Sequence, residues 1–97
     1  MHVPLTVNDF LDRAATVYPE RVGVVDEPDQ PAAPVGPWSY ARLAAAAASQ
    51  AAALDRLGVE VGGRVAIVSH NSARLLTSFF GVSGSGRVLV PVNFRLA

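Results

Sequence analysis

Apolar residues recur along this chain first at helical spacing and later in short continuous runs, so helices and strands are predicted to alternate. Val7, Phe10, Leu11, Ala14 and Val17 fall on one side of a helix. Thr6 and Asp9, three residues apart, form a capping-box start. Pro19 stops this helix, because proline disfavours helical geometry at the residue before it. Residues 22–26, VGVVD, predict a short strand. Residues 27–37 carry Pro28, Pro31, Pro34 and Pro37 beside Asp26, Glu27 and Asp29, and predict a surface loop. Proline spacing of this kind can mark a polyproline ligand. An insertion between two hairpin strands is the better reading, since apolar runs flank the segment on both sides. The acids lack the regular oxygen-ligand spacing of a calcium loop. Trp38-Ser39-Tyr40 then predicts a second short strand running into a helix, with Ser39 as N-cap. That helix, about Ala41 to Leu57, is rich in alanine, the best helix former. Leu43, Ala47, Leu54 and Leu57 mark its buried stripe, and Gly58 suits its C-terminal cap.

The last third predicts a strand-helix-strand unit. Gly62-Gly63 turns the chain into a strand over Arg64–Ser69, whose continuous apolar core Val65-Ala66-Ile67-Val68 suits cover on both faces. Asn71 or Ser72 caps the next helix, and Leu75, Leu76, Phe79 and Phe80 give it a broad apolar face. Gly84 and Gly86 break it before a second strand at Val88-Leu89-Val90. The unit is close to the roughly 30 residues of a parallel pair with a right-handed crossover. The chain is expected to run into a further helix at Leu96-Ala97. It therefore reads as the opening piece of a larger α/β enzyme, with most of the chemistry beyond Ala97.

Composition sharpens this picture. Hydrophobic residues make up 51% of the 97 residues and charged residues 16%, against about 25% charged in an ordinary domain. Apolar faces that further sequence should cover are implied. There is no cysteine, which excludes disulfides and thiolate chemistry within the chain. No positively charged leader opens the sequence, and no apolar run approaches the ~18 residues of a membrane span. A cytoplasmic protein is expected. Every basic residue is arginine, so a phosphate-binding lysine or a Schiff base is impossible within this piece. All acids lie at or before Glu60, whereas Arg64, Arg74, Arg87 and Arg95 follow it. An anion site would explain this asymmetry. The adopted reading is that acids outside the chain pair with these arginines, since structural ion pairing is commoner.

Two segments invite chemistry. Gly81-Val82-Ser83-Gly84-Ser85-Gly86 has the composition of a phosphate-cradling loop, but its glycines close a helix ahead of a strand. A dinucleotide fingerprint follows a strand and opens a helix, and a helix C-terminus repels phosphate. A helix-terminating turn is predicted. The second candidate is topological: ligands gather at the carboxyl ends of parallel strands. His70 and Asn71 follow one such end, and Asn93 and Arg95 follow the other. His70 and Asn71 also precede a helix N-terminus, which favours anions. The plainer alternative is the stronger: Asn71 caps the helix, His70 is a loop residue, and Asn93 and Arg95 stabilise the next turn. No carboxylate pair, Ser-His-Asp set or metal constellation can be assembled, so no catalytic, cofactor-binding or metal residue is assigned.

The order of elements resembles the start of the AMP-forming acyl-CoA synthetases of the adenylate-forming superfamily. DFLDRAATVYPERVGVVD is similar to that family's opening helix and strand. Trp38-Ser39-Tyr40, Leu57-Gly58-Val59, Gly63-Arg64-Val65-Ala66, Asn71-Ser72 and Val90-Pro91-Val92-Asn93-Phe94-Arg95-Leu96 then follow in the family's order. Gly62-Gly63 departs from the family's common Gly-Asp. The resemblance implies an α/β fold in which residues 1–97 form part of a large N-terminal AMP-binding domain, stopping before the nucleotide-binding motifs. It implies a parent that uses ATP, magnesium and coenzyme A to convert a carboxylate, such as a fatty acid, into a thioester through an acyl-adenylate. The family's phosphate loop ending in Pro-Lys-Gly, its acidic ribose contact and its C-terminal lysine find no counterpart here. The piece alone is expected to bind no cofactor and to be inactive. Its expected partners are the remainder of the parent and further copies of itself, not nucleic acid or a membrane span. Rival readings are a peptide-synthetase adenylation domain and a small flavodoxin-like interaction module.

Overall fold

A computed structural model describes residues 6–30 and 33–92. Helix α1 spans Val7–Val17. The Thr6 amide donates to Asp9 Oδ2 at 2.8 Å, one arm of the predicted capping box. Strand β1 covers Val22–Val24 and β2 covers Trp38–Ser39. They pair antiparallel, as the hairpin reading required. Val25 and Asp26, predicted to continue β1, lie beyond its end. Asp26 instead turns its carboxylate to amides on other elements.

Helix α2, Tyr40–Arg56, starts on Ser39, whose Oγ accepts from the Arg42 amide at 3.1 Å. It ends in a Schellman turn: the Val59 amide donates to the Leu54 carbonyl and the Gly58 amide to that of Asp55, both at 3.0 Å. Leu43, Ala47 and Leu54 are buried as expected, but Leu57 is 77% exposed. It is the cap residue, beyond the last helical residue that can carry the stripe.

Strand β3, Arg64–Val68, pairs in parallel with β4, Val88–Val92, in the register Arg64↔Val88 to Val68↔Val92. Helix α3, Ala73–Gly81, joins them and is followed by a 3-10 turn, Ser83–Ser85. Cover on both faces of β3 is not what the structure shows. Burial alternates: Val65, Ile67 and Leu89 are half-buried, while Ala66, Val68, Val88, Val90 and Val92 are exposed. Successive side chains of a strand point to opposite faces, so one face of this pair is open among the described residues.

The core joins α1 to α2. Leu11, Leu43 and Ala47 form its centre, with Val24, Trp38, Ala44, Leu76 and Phe80 packed around them. The buried face of α3 also differs from expectation. Ala73, Thr77, Ser78 and Gly81 are buried, whereas Leu75, Leu76 and Phe80 are half-buried and Phe79 is exposed. At Ser78 and Gly81 small residues are required because α2 and α3 approach closely. A Cβ on Gly81 would collide with Gln50 Oε1 and stand 3.0 Å from the Ala47 carbonyl oxygen. Gln50 Nε2 donates to Ser78 Oγ at 2.9 Å across the same contact.

Candidate functional site

The parallel register places Val68 opposite Val92, so the C-terminal ends of β3 and β4 open on one edge. Ser69, His70, Asn71 and Ser72 connect β3 to α3 along that edge. Asn93 and Arg95 lie outside the described residues. Ser72, not Asn71, caps α3: its Oγ accepts from the Leu75 amide at 3.3 Å. Ser69 Oγ donates to the His70 carbonyl at 2.8 Å and lies 3.5 Å from Ser72 Oγ. His70 and Asn71 therefore sit in a short loop braced at both ends by serine hydroxyls.

The residue that dominates this edge is Asp26, which the sequence placed at the end of a strand and in an acidic cluster, with no role assigned. Its side chain is buried, and three donors converge on its two oxygens. The Ala73 amide, the first of α3, reaches Oδ1 at 2.6 Å. The Val35 amide reaches Oδ2 at 2.9 Å, and Gln30 Nε2 reaches the same oxygen at 3.0 Å. The Ala73 amide, then that of Val35, hold the Asp26 carboxyl below its ordinary pKa; burial opposes this, while Gln30 and the nearby Arg74 charge reinforce it. The anion at this helix N-terminus is thus the protein's own carboxylate. An acid ending an apolar strand run, ahead of a helix that lacks acids in its first turn, was the available signal.

A depressed folded-state pKa means that Asp26 stabilises the fold above the unfolded carboxylate pKa of about 3.9. The contribution is lost as pH falls through the lower folded value. The stability difference between the wild type and Asp26→Asn should stay constant from pH 7 to about 5 and close below about 4. Denaturation midpoints measured along that series check this; a gap that persists below the folded pKa would contradict it.

The glycine-rich segment behaves as a turn. Gly86 takes the left-handed conformation, φ 84°, and Ser85 Oγ donates to the Gly81 and Val82 carbonyls at 2.7 and 3.0 Å. The described residues contain no cluster of three His, Cys, Asp or Glu able to hold a metal ion. The first amide of α3 is satisfied by Asp26, and the glycine turn closes on its own carbonyls.

Arg87 was expected to pair with an acid outside the chain. Its Nη2 lies 2.5 Å from Asp55 Oδ1, within the chain. Nε and Nη2 donate to the Val59 carbonyl at 3.0 and 2.6 Å, and Nη1 to Ser85 Oγ at 2.9 Å. The guanidinium ties the α2 terminus to the start of β4.

Residues 11–97 match the family described as AMP-binding enzyme, so the match takes in α2, the parallel pair and the strand-end edge. The chain belongs to this family. A 4-hydroxybutyrate–CoA ligase 2 of Metallosphaera sedula is 34% identical over 88 residues, covering 91% of this chain and 15% of the ligase. The nonribosomal peptide synthetase sirP of Leptosphaeria maculans is 27% identical over 90 residues, covering 93% of this chain and 4% of the synthetase. Among solved structures, VinN superposes with a TM-score of 0.79 at 28% identity, covering 90% of this chain and 21% of VinN. The α/β architecture with its parallel pair is thus that of AMP-binding enzymes, and the chain spans a small part of the relatives it matches. No helix of the described residues is long and apolar enough to cross a membrane.

Proposed function

We propose that the chain is the N-terminal part of an acyl-CoA ligase. The parent activates a carboxylate with ATP and magnesium, forming an acyl-adenylate and releasing pyrophosphate. The sulfur of coenzyme A then displaces AMP to give the thioester. The observation that carries this reading is the family match over residues 11–97, together with the ligase relative whose length the chain covers by 15%. Within the parent, residues 1–97 act as scaffold and as one wall of a cytoplasmic AMP-binding domain, and His70, Asn71, Asn93 and Arg95 stand at the edge of its site. Fatty acids are the proposed substrate class. Incubated with ATP, magnesium, coenzyme A and a panel of fatty acids, the isolated chain should release no carboxylate-dependent pyrophosphate above a no-protein control. Release above control would show that the chain carries its own chemistry. The full parent should release pyrophosphate and form a thioester. The peptide-synthetase relative favours one other reading, a carrier-loading adenylation domain. Adenylate formation by the parent without thioester formation on free coenzyme A would select it.

The same reading extends to partners. The apolar face of Ala66, Val68, Val88, Val90 and Val92 is left open among the described residues. Exposed apolar patches and strand edges recruit other chains. Without the remainder of its parent, the chain should self-associate. Sedimentation at rising concentrations should show growing mass, and a monomer across the whole range would remove this proposal.

A further inference from the structure

The hydrogen bonds of Asp26 link parts of the chain that are distant in sequence. Ala73 lies 47 residues from Asp26 and Val35 lies 9. Asp26 is 7% exposed, and a buried acceptor that loses a donor is left with a desolvation cost. A second tie runs parallel to it. Arg74 Nη1 donates to the Ala33 carbonyl at 2.8 Å. Ala33 and Val35 both belong to the proline-rich connection between β1 and β2, whereas Ala73 and Arg74 open α3.

We propose that Asp26 is a latch that fixes the β3–α3 loop, Ser69–Ser72, to the proline-rich connection, so that displacing one displaces the other. Only a carboxylate can do this. Its two oxygens sit at a fixed separation and accept from Ala73, Val35 and Gln30 together, whereas an amide side chain has one acceptor oxygen. Losing one arm frees the group to rotate and weakens the other. Ser72, next to Ala73, caps α3 and lies 3.5 Å from Ser69 Oγ, which donates to the His70 carbonyl, so the short loop starts and ends on residues close to the latch. A partner that pulls on the proline-rich connection would thereby move the strand-end edge, although no residue of that connection lies in the Ser69–Ser72 loop. The latch stands on these contacts alone and does not depend on the reaction proposed above.

The test is amide hydrogen exchange at single-residue resolution on the intact protein. In Asp26→Asn, protection of the Val35 and Ala73 amides should fall together by about fivefold or more. Protection within α2 around Ala47 should stay unchanged. Gln30→Ala removes one donor without touching Ala73, and keeps a test available if the Asp26 variant does not fold. It should lower Ala73 protection by roughly twofold or more. An Ala73 amide unmoved by Gln30→Ala, or loss of only one of the two protections in a folded Asp26→Asn, would show that the arms act independently and would overturn the latch.

Discussion

Replacing Leu43 by alanine should destabilise the protein by about 3 kcal/mol, within the roughly 2–5 kcal/mol range for core leucines. Leu43 is 2% exposed and stands at the centre of the cluster formed with Leu11 and Ala47. The deletion removes apolar area from the core and leaves a space that rigid neighbours fill incompletely. Trp38, Leu76 and Phe80 around it are only half-buried. They can move inward, which keeps the cost below the upper end of the range. A domain of this size has about 5–15 kcal/mol of total stability, so the variant loses a large share of it. Leu57→Ala is the control, since Leu57 is 77% exposed despite lying on the predicted stripe. It should cost less than about 0.5 kcal/mol. Urea midpoints with an unchanged slope measure both. Equal losses at the two positions would place the core elsewhere on α2.

The second large effect is expected at Asp55. The Arg87 side chain is 4% exposed and that of Asp55 is 71% exposed, so the ion pair is lopsided. Arginine cannot shed its proton to escape burial. Asp55→Ala therefore leaves a buried cation on the Val59 carbonyl and Ser85 hydroxyl alone, at a cost of about 3 kcal/mol. Asp55→Asn keeps an acceptor but not the charge, and should cost roughly half as much. Arg87→Met fills much of the same volume and leaves the Val59 carbonyl short of a donor, for about 1–2 kcal/mol. In the Asp55→Ala, Arg87→Met double variant the Asp55 cost should largely vanish, because no stranded charge remains. A loss under about 0.5 kcal/mol for Asp55→Ala would make the pair an ordinary surface bridge and refute the lopsided account.

These two positions also show where the sequence was informative and where it was not. The sequence by itself determined the order and type of the elements, the Ser39 cap, the closing glycine turn at Gly86 and the parallel pairing of β3 with β4. Each follows from signals confined to a few residues: apolar periodicity, a hydroxyl ahead of a helix, a residue free to take positive φ, and the length of a crossover. The family resemblance rested on the same local strings in order, and the match over residues 11–97 agrees with it. His70 and Asn71 could be assigned to a strand end for the same reason, while Asn93 and Arg95 lie outside the described residues.

The tertiary structure alone decided which face of α3 is buried. Periodicity marked Leu75, Leu76, Phe79 and Phe80, but the close approach of Gln50 and Ala47 selects small side chains at Ser78 and Gly81, and the Asp26 carboxylate meets the helix at Ala73. It alone paired Arg87 with Asp55, 32 residues away, where sequence order had pointed outside the chain. It alone brought Asp26 to Ala73 across 47 residues. In each case the deciding energy is the desolvation of a polar or charged group, or the packing of two surfaces. Both depend on what arrives from elsewhere in the chain, and no pattern of neighbouring residues encodes that.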